Sequence, residues 1–329
     1  MQYIGLFEII FGMLTTLWPV WLSIALVMGI SWHYHPKLAL YGRIYENRMG
    51  IVGLFIIFFW LFADIFADSV APFEPLDQFA MLKNKNPGVV HPETGLIQYL
   101  GGDKFGRDVF SRMIHGSRIV LVIAPAATMF ALIVGISLGL PAGYYRGRID
   151  TLLSFLANLV LAFPVILLFY LLVTPGIRET AVPRAMAGVF FLFPILFFSM
   201  VFVSRFWERP QLLLLQLVLV FLFGGWVYVS LVFDADPFGV LSLEPNEMNI
   251  FVAVVFASSP GVFRIVRGLT MDIATRDYVA AAQTRGETPW YVMLWDILPN
   301  ARGPLIVDAC LRIGYTTILL GTLGYFGLG

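Results

Sequence analysis

The chain of 329 residues is 59% hydrophobic and only 13% charged, and its 21 Lys and Arg balance its 21 Asp and Glu. Soluble domains carry about 25% charged residues, so a mean hydropathy of +0.83 excludes an ordinary soluble fold. Zero net charge leaves no surface for neutralising phosphates and argues against a nucleic-acid partner. The single cysteine, Cys310, supports neither a disulfide nor a thiolate metal cage and reads as a packed apolar side chain.

A helix needs about 20 residues to cross the roughly 30 Å hydrocarbon core of a bilayer. Eight apolar runs meet that need, near 4–30, 49–71, 119–142, 152–174, 187–204, 211–233, 248–264 and 304–326. They predict an all-α polytopic transmembrane helical bundle whose main partner is the lipid bilayer. The first run carries Glu8 and lacks a basic leader, so it reads as a span or an interfacial segment rather than a cleaved signal. Asp64, at the end of the second, reads as interfacial. In the third run Gly135, Gly139 and Gly143 recur every fourth residue, the spacing that lets two helices approach closely. In the last run Asp308 and Arg312 stand one helical turn apart and can pair. Such a pair either serves a transport path or neutralises itself at a helix interface.

Short cytoplasmic links hold an excess of Lys and Arg. Lys37, Arg43 and Arg48, then Arg146 and Arg148, then Arg205 and Arg209 mark three links as cytoplasmic, and Arg267, Arg276, Arg285 and Arg302 mark a fourth. Asp234, Asp236, Glu244 and Glu247 place the link between them outside.

Two polar stretches are long enough to be functional, 72–118 outside and 267–303 inside. The outer one ends in a glycine-rich turn, Gly101 to Gly106, leading into a helix. In the inner one, Thr275 is predicted to cap a helix over 276–285 and Gly286 to take the left-handed turn after it. Thr288-Pro289 should then start a second short helix that Pro299 ends. Ala280, Ala281 and Ala282 put small side chains in the first helix, and Trp290, Tyr291, Met293, Leu294 and Trp295 crowd the second. The pair reads either as amphipathic helices on the membrane surface or as a docking element for a cytoplasmic protein.

Catalytic patterns are missing from the sequence. His33 and His35 lack a third ligand, His91 and His115 are isolated, and neither His-Glu-x-x-His nor Gly-x-Ser-x-Gly occurs. The expectation is no enzyme, no metal and no cofactor.

The segment Tyr278-Val279-Ala280-Ala281-Ala282-Gln283-Thr284-Arg285-Gly286, followed by Ile297-Leu298-Pro299-Asn300, resembles the Glu-Ala-Ala coupling loop of ATP-binding cassette importer permeases. Asp103 through Arg118 is similar to the Gly-Arg-Asp-Val-Phe-Ser-Arg signature of the dipeptide, oligopeptide and nickel permease family, second-permease type. Gly143 through Asp150, Leu161-Ala162-Phe163-Pro164 and Pro260-Gly261 through Arg267 match further, in the same order. This resemblance implies a multi-pass permease of the bacterial cytoplasmic (inner) membrane that moves peptides or similar small solutes. It implies coupling to separate cytoplasmic ATP-binding subunits through residues 275–299, with Ala280, Ala281, Ala282, Gly286, Leu298 and Pro299 at the contact. It also implies an outer-face motif at Asp103, Gly106, Arg107 and Asp108, a second permease subunit in a heterodimer, and an extracytoplasmic substrate-binding protein. Hydrolysis belongs to the partner, in keeping with a chain that has no Gly-x-x-x-x-Gly-Lys-Ser/Thr.

The chain departs from the family in three ways. Ala280 stands where the family has glutamate. Residues 1–48 add an apolar segment and a link before the core, and 175–246 insert two apolar segments between 49–174 and 247–329. The sequence stops at Gly327-Leu328-Gly329, where the family continues to a last span, so a final span is expected to be missing. A secondary transporter or channel, or a transport-incompetent membrane scaffold, is the alternative reading.

Overall fold

A computed structural model describes residues 3–92, 94–164, 167, 171, 174–178, 180–239 and 245–325. Glu244, the terminal Gly327-Leu328-Gly329 and part of the run 152–174, between 165 and 173, lie outside the described residues. Among the described residues six helices are long and apolar enough to cross a membrane, or seven if one bent pair counts as a single span. Contacts divide the chain into two compact units, Met1–Val122 and Ile123–Gly329.

In the first unit the apolar run 4–30 is broken rather than straight. Helix α1 (Leu6–Thr16) and helix α2 (Trp18–Tyr34) meet at Leu17 with a bend of 55°. Pro19 sits at the start of α2, where its missing N–H costs nothing, and the chain re-enters a helix there in a new direction. Helix α3 (Arg48–Ile65) starts at Asn47, whose side chain accepts from the Met49 N–H at 2.9 Å. It packs along α2, with Trp21 against Phe55 and Phe59.

The outer stretch 72–118 folds back on these helices. Its strands β1 (Val89–Val90) and β2 (Ile97–Gln98) pair antiparallel, Ile4 donates to the Gly88 carbonyl, and Thr16 bonds the Tyr99 hydroxyl at 3.0 Å. One apolar cluster joins Ile9, Val20, Ala63, Val70, Tyr99 and Phe110. The start of α4 (Val109–Tyr145) closes this unit.

In the second unit the rest of α4 runs against α8 (Pro245–Ile273). A β-carbon on Gly135 would lie 2.9 Å from the Phe263 nitrogen, one on Gly139 3.0 Å from the Phe263 carbonyl oxygen, and one on Gly143 2.7 Å from the Arg267 carbonyl oxygen. The predicted glycine stripe is therefore a backbone-to-backbone contact. Helix α5 (Gly147–Leu161) is tied to α8 by Asp150 and Arg267. The inserted segments form a hairpin of α6 (Ala181–Phe206) and α7 (Pro210–Phe233). Prolines inside α4, α6 and α8 leave these helices unbroken.

Candidate functional site

The polar stretch after α8 forms a short helix α9 (Asp277–Thr284) and, after a turn, a helical stretch that returns to the membrane. Thr275 does not cap α9. Its hydroxyl donates backwards to the Asp272 carbonyl at 2.7 Å, and Arg276 occupies the cap position without a side-chain bond to the helix. The turn after α9 is as the sequence predicts. Gly286 has φ +84°, a conformation that disfavours any residue with a β-carbon, and Glu287 donates to the Ala282 carbonyl. Thr288 accepts from the Tyr291 N–H at 3.3 Å, and Pro289 opens α10 (Pro289–Tyr291).

Pro299 does not end the second helix. A π-helical segment, Val292–Ile297, passes directly into α11 (Leu298–Tyr325), so helical backbone continues from Pro289 to Tyr325. A proline inside an α-helix lacks the N–H and crowds the carbonyl one turn back. A wider turn immediately before it relieves both demands.

Burial separates two faces of α9. Val279 and Ala282 are fully buried and join Val266, Val292, Met293 and Ile297 in one apolar cluster. Ala282 is thus committed to the chain's own core, whereas Ala280, Ala281, Gln283, Thr284 and Arg285 are exposed. Gln283 donates to the Tyr144 hydroxyl at 3.0 Å, Arg146 to the Met271 carbonyl at 3.3 Å, and Arg205 to the Tyr291 hydroxyl at 3.0 Å. The basic links at 146 and 205 therefore lie at the same end of this unit as α9, as their shared cytoplasmic assignment requires. Leu298 is half-buried against the cluster and Pro299 is exposed.

Deeper in the same unit, Arg312 donates through Nε to Asp308 at 2.6 Å and through Nη1 to the Ser258 carbonyl of α8 at 3.1 Å. Gly261 leaves room for this, since a β-carbon there would lie 2.7 Å from the Arg312 guanidinium. The predicted pair thus serves as a tie between α11 and α8. Cys310, expected to be packed, is exposed on the α11 surface instead.

The outer motif is built around two carboxylates. Asp103 accepts from the backbone N–H groups of Phe105 and Arg107 at 2.8 and 2.9 Å, and from the side chains of Arg107 and Arg112 at 2.8 Å each. Burial raises its pKa, but these hydrogen bonds outweigh burial and hold the carboxyl below its usual value. Gly106, at φ +79°, lets the chain turn against the Phe79 backbone, where a side chain would collide with the carbonyl oxygen. Asp108 is buried and accepts from the Ser111 N–H and hydroxyl at 2.7 Å each, at the start of α4. Burial pushes its pKa up despite these bonds. Together the four residues hold one turn at the start of α4. Among the described residues no group of three or more His, Cys, Asp or Glu could hold a metal ion.

The contact between Arg205 and the Tyr291–Trp295 face was not foreseen, although both aromatic residues and the arginine stood out in the sequence. Residues 86 positions apart carry no local pattern that would join them.

Comparison with known proteins agrees with this architecture. The chain is 28% identical over 285 residues to the di/tripeptide transport system permease protein DppC of Pseudomonas aeruginosa, covering 86% of this chain and 71% of that one. It is 28% identical over 288 residues to the dipeptide transport system permease protein DppC of Haemophilus influenzae, covering 86% and 73%. It is 24% identical over 278 residues to the glutathione transport system permease protein GsiD of Pectobacterium atrosepticum, covering 84% and 67%. The pattern of the binding-protein-dependent transport system inner membrane component matches residues 135–329, more than half of the chain. Together with its apolar helices, this match makes the chain a multi-pass inner membrane protein that belongs to the family of binding-protein-dependent transport system inner membrane components.

Proposed function

We propose that this chain is the membrane-spanning permease subunit of an ATP-driven importer of peptides or solutes of similar size, working with a separate ATPase that docks on residues 275–299. The single observation that carries the docking assignment is the two-sided character of α9. Val279 and Ala282 anchor it in the chain's own core, and Ala280 and Ala281 leave a small-residue face open beside it. The left-handed Gly286 then turns the chain into a helix that re-enters the membrane without a further loop. Peptides are the cargo named for the relatives in Pseudomonas and Haemophilus, which supports the solute class. A second permease subunit, completing a heterodimer, and an extracytoplasmic binding protein complete the assembly. Segments 1–48 and 175–246 are additions to a permease core of 49–174 and 247–329.

Co-expression with candidate ATPase and permease partners, co-purification, and uptake into proteoliposomes test this. Uptake should require hydrolysable ATP and stop with a non-hydrolysable analogue. Uptake that proceeds equally without ATP, driven by an ion gradient, would establish a secondary transporter instead.

A further inference from the structure

The inserted hairpin has no role in the family resemblance, yet α6 is fastened to the coupling element. Phe197 and Val201 on α6 pack onto the apolar cluster that contains Val292, Met293 and Ile297. Ser204 and Arg205, one turn further on, reach its rim. Arg205 Nη1 donates to the Tyr291 hydroxyl at 3.0 Å, and its guanidinium lies 5.0 Å from the centre of the Trp295 ring. The Trp295 indole N–H donates to the Ser204 hydroxyl at 3.1 Å. Tyr291 and Trp295 stand four residues apart, so both rings face α6, and their centroids are 6.5 Å apart. The clasp combines a charge-assisted hydrogen bond, a cation–π contact and an indole hydrogen bond over a buried apolar seam. It grips the π-helical segment through which a push on α9 must pass to reach α11.

Resting on the importer reading above, we infer that Arg205 and Ser204 are positioning residues for energy coupling. The inserted hairpin braces the π-helical segment so that movement of the docked ATPase is delivered to α11 rather than lost in local deformation. Arginine suits this place because its planar group can stack on the indole and still donate to the phenol, which an ammonium does less well.

The test uses the assembled transporter in proteoliposomes and measures ATP hydrolysed per solute imported. In Arg205→Ala, and more so with Ser204→Ala added, uptake should fall by about ten-fold, the population change expected from losing one or two such contacts. Hydrolysis should stay within about two-fold, as expected when only coupled states are lost. Arg205→Lys should recover part of the ratio. Trp295→Phe, which keeps a ring but lacks the N–H, should give an intermediate loss without disturbing the fold. An unchanged ratio in all variants, or uptake and hydrolysis falling in parallel with assembly, would overturn the inference. Absence of ATP-dependent uptake in the unsubstituted complex would instead overturn the importer reading.

Discussion

Asp150 and Arg267, 117 residues apart in sequence, form a two-point ion pair: Arg267 Nη2 donates to one carboxylate oxygen at 2.6 Å and its Nε to the other. The Ser154 hydroxyl adds a third hydrogen bond to Asp150 at 3.0 Å. The Arg267 hydrogen bond, more than burial, sets the Asp150 carboxyl below its usual value. Because the folded value is depressed, the stabilisation is fully present above the ordinary carboxylate pKa of about 3.9 and disappears as pH falls through the folded value. Asp150→Ala should lower stability by about 1–2 kcal/mol, less than for a fully buried pair because the Arg267 side chain is partly exposed. Thermal denaturation in detergent at pH 7 should show the loss, and the difference from the unsubstituted protein should shrink toward pH 3.

The Asp308 and Arg312 pair yields a second test. Asp308→Ala leaves the guanidinium with only the Ser258 carbonyl, so membrane-integrated protein and uptake should both drop sharply. The double variant Asp308→Asn/Arg312→Gln, neutral at both positions, should recover protein level more than uptake if the pair also serves the transport path. Equal recovery of both would reduce it to a tie between helices.

The glycine contact between α4 and α8 separates crowding from helix propensity. Gly139→Val forces a side chain onto Val266 and the Phe263 carbonyl and should cost about 1–3 kcal/mol. Gly268→Ala, on α8 with open space around it, should be neutral or slightly stabilising. Melting temperatures of the two purified variants would settle the contrast.

At Gly286 the constraint is the backbone alone, since nothing lies within 4 Å of where a β-carbon would be. Gly286→Val should strain the turn by about 1–2 kcal/mol and weaken ATPase co-purification while insertion stays normal. Gly286→Asn, which tolerates the left-handed region, should behave nearly like the parent. Equal loss in both would point to direct contact rather than backbone conformation.

Six of the eight apolar runs form helices of membrane-crossing length among the described residues, the run 4–30 forms a bent pair, and 152–174 is not among the six. Those six spans and the Gly286 turn are legible in the sequence because hydropathy and a left-handed glycine act locally. The break at Leu17 was also signalled, by Pro19, but a run of unbroken hydropathy concealed it. Pro299 leaves the helix intact because the rule that proline ends a helix presumes α-helical turns before it, and the π-helical segment changes that geometry. The sequence offers Thr275 as a cap, but its hydroxyl instead donates to the Asp272 carbonyl, an acceptor left open where α8 ends at Ile273. The facing of Ala282 and Cys310 could not be read, since uniformly apolar or small-residue helices carry little amphipathic signal. The Arg205 clasp depends on long-range packing and was invisible for that reason.

Because helical backbone runs from Pro289 to Tyr325, Asp308 sits on the same continuous helix as Pro289, about 28 Å further along at 1.5 Å per residue. A displacement applied at Pro289 therefore arrives there with no loop to absorb it. The π-helical segment sets the angular phase of everything beyond. Tightening it by one residue would rotate α11 by about 100°, enough to swing the Arg312 guanidinium away from Ser258 and uncouple α11 from α8.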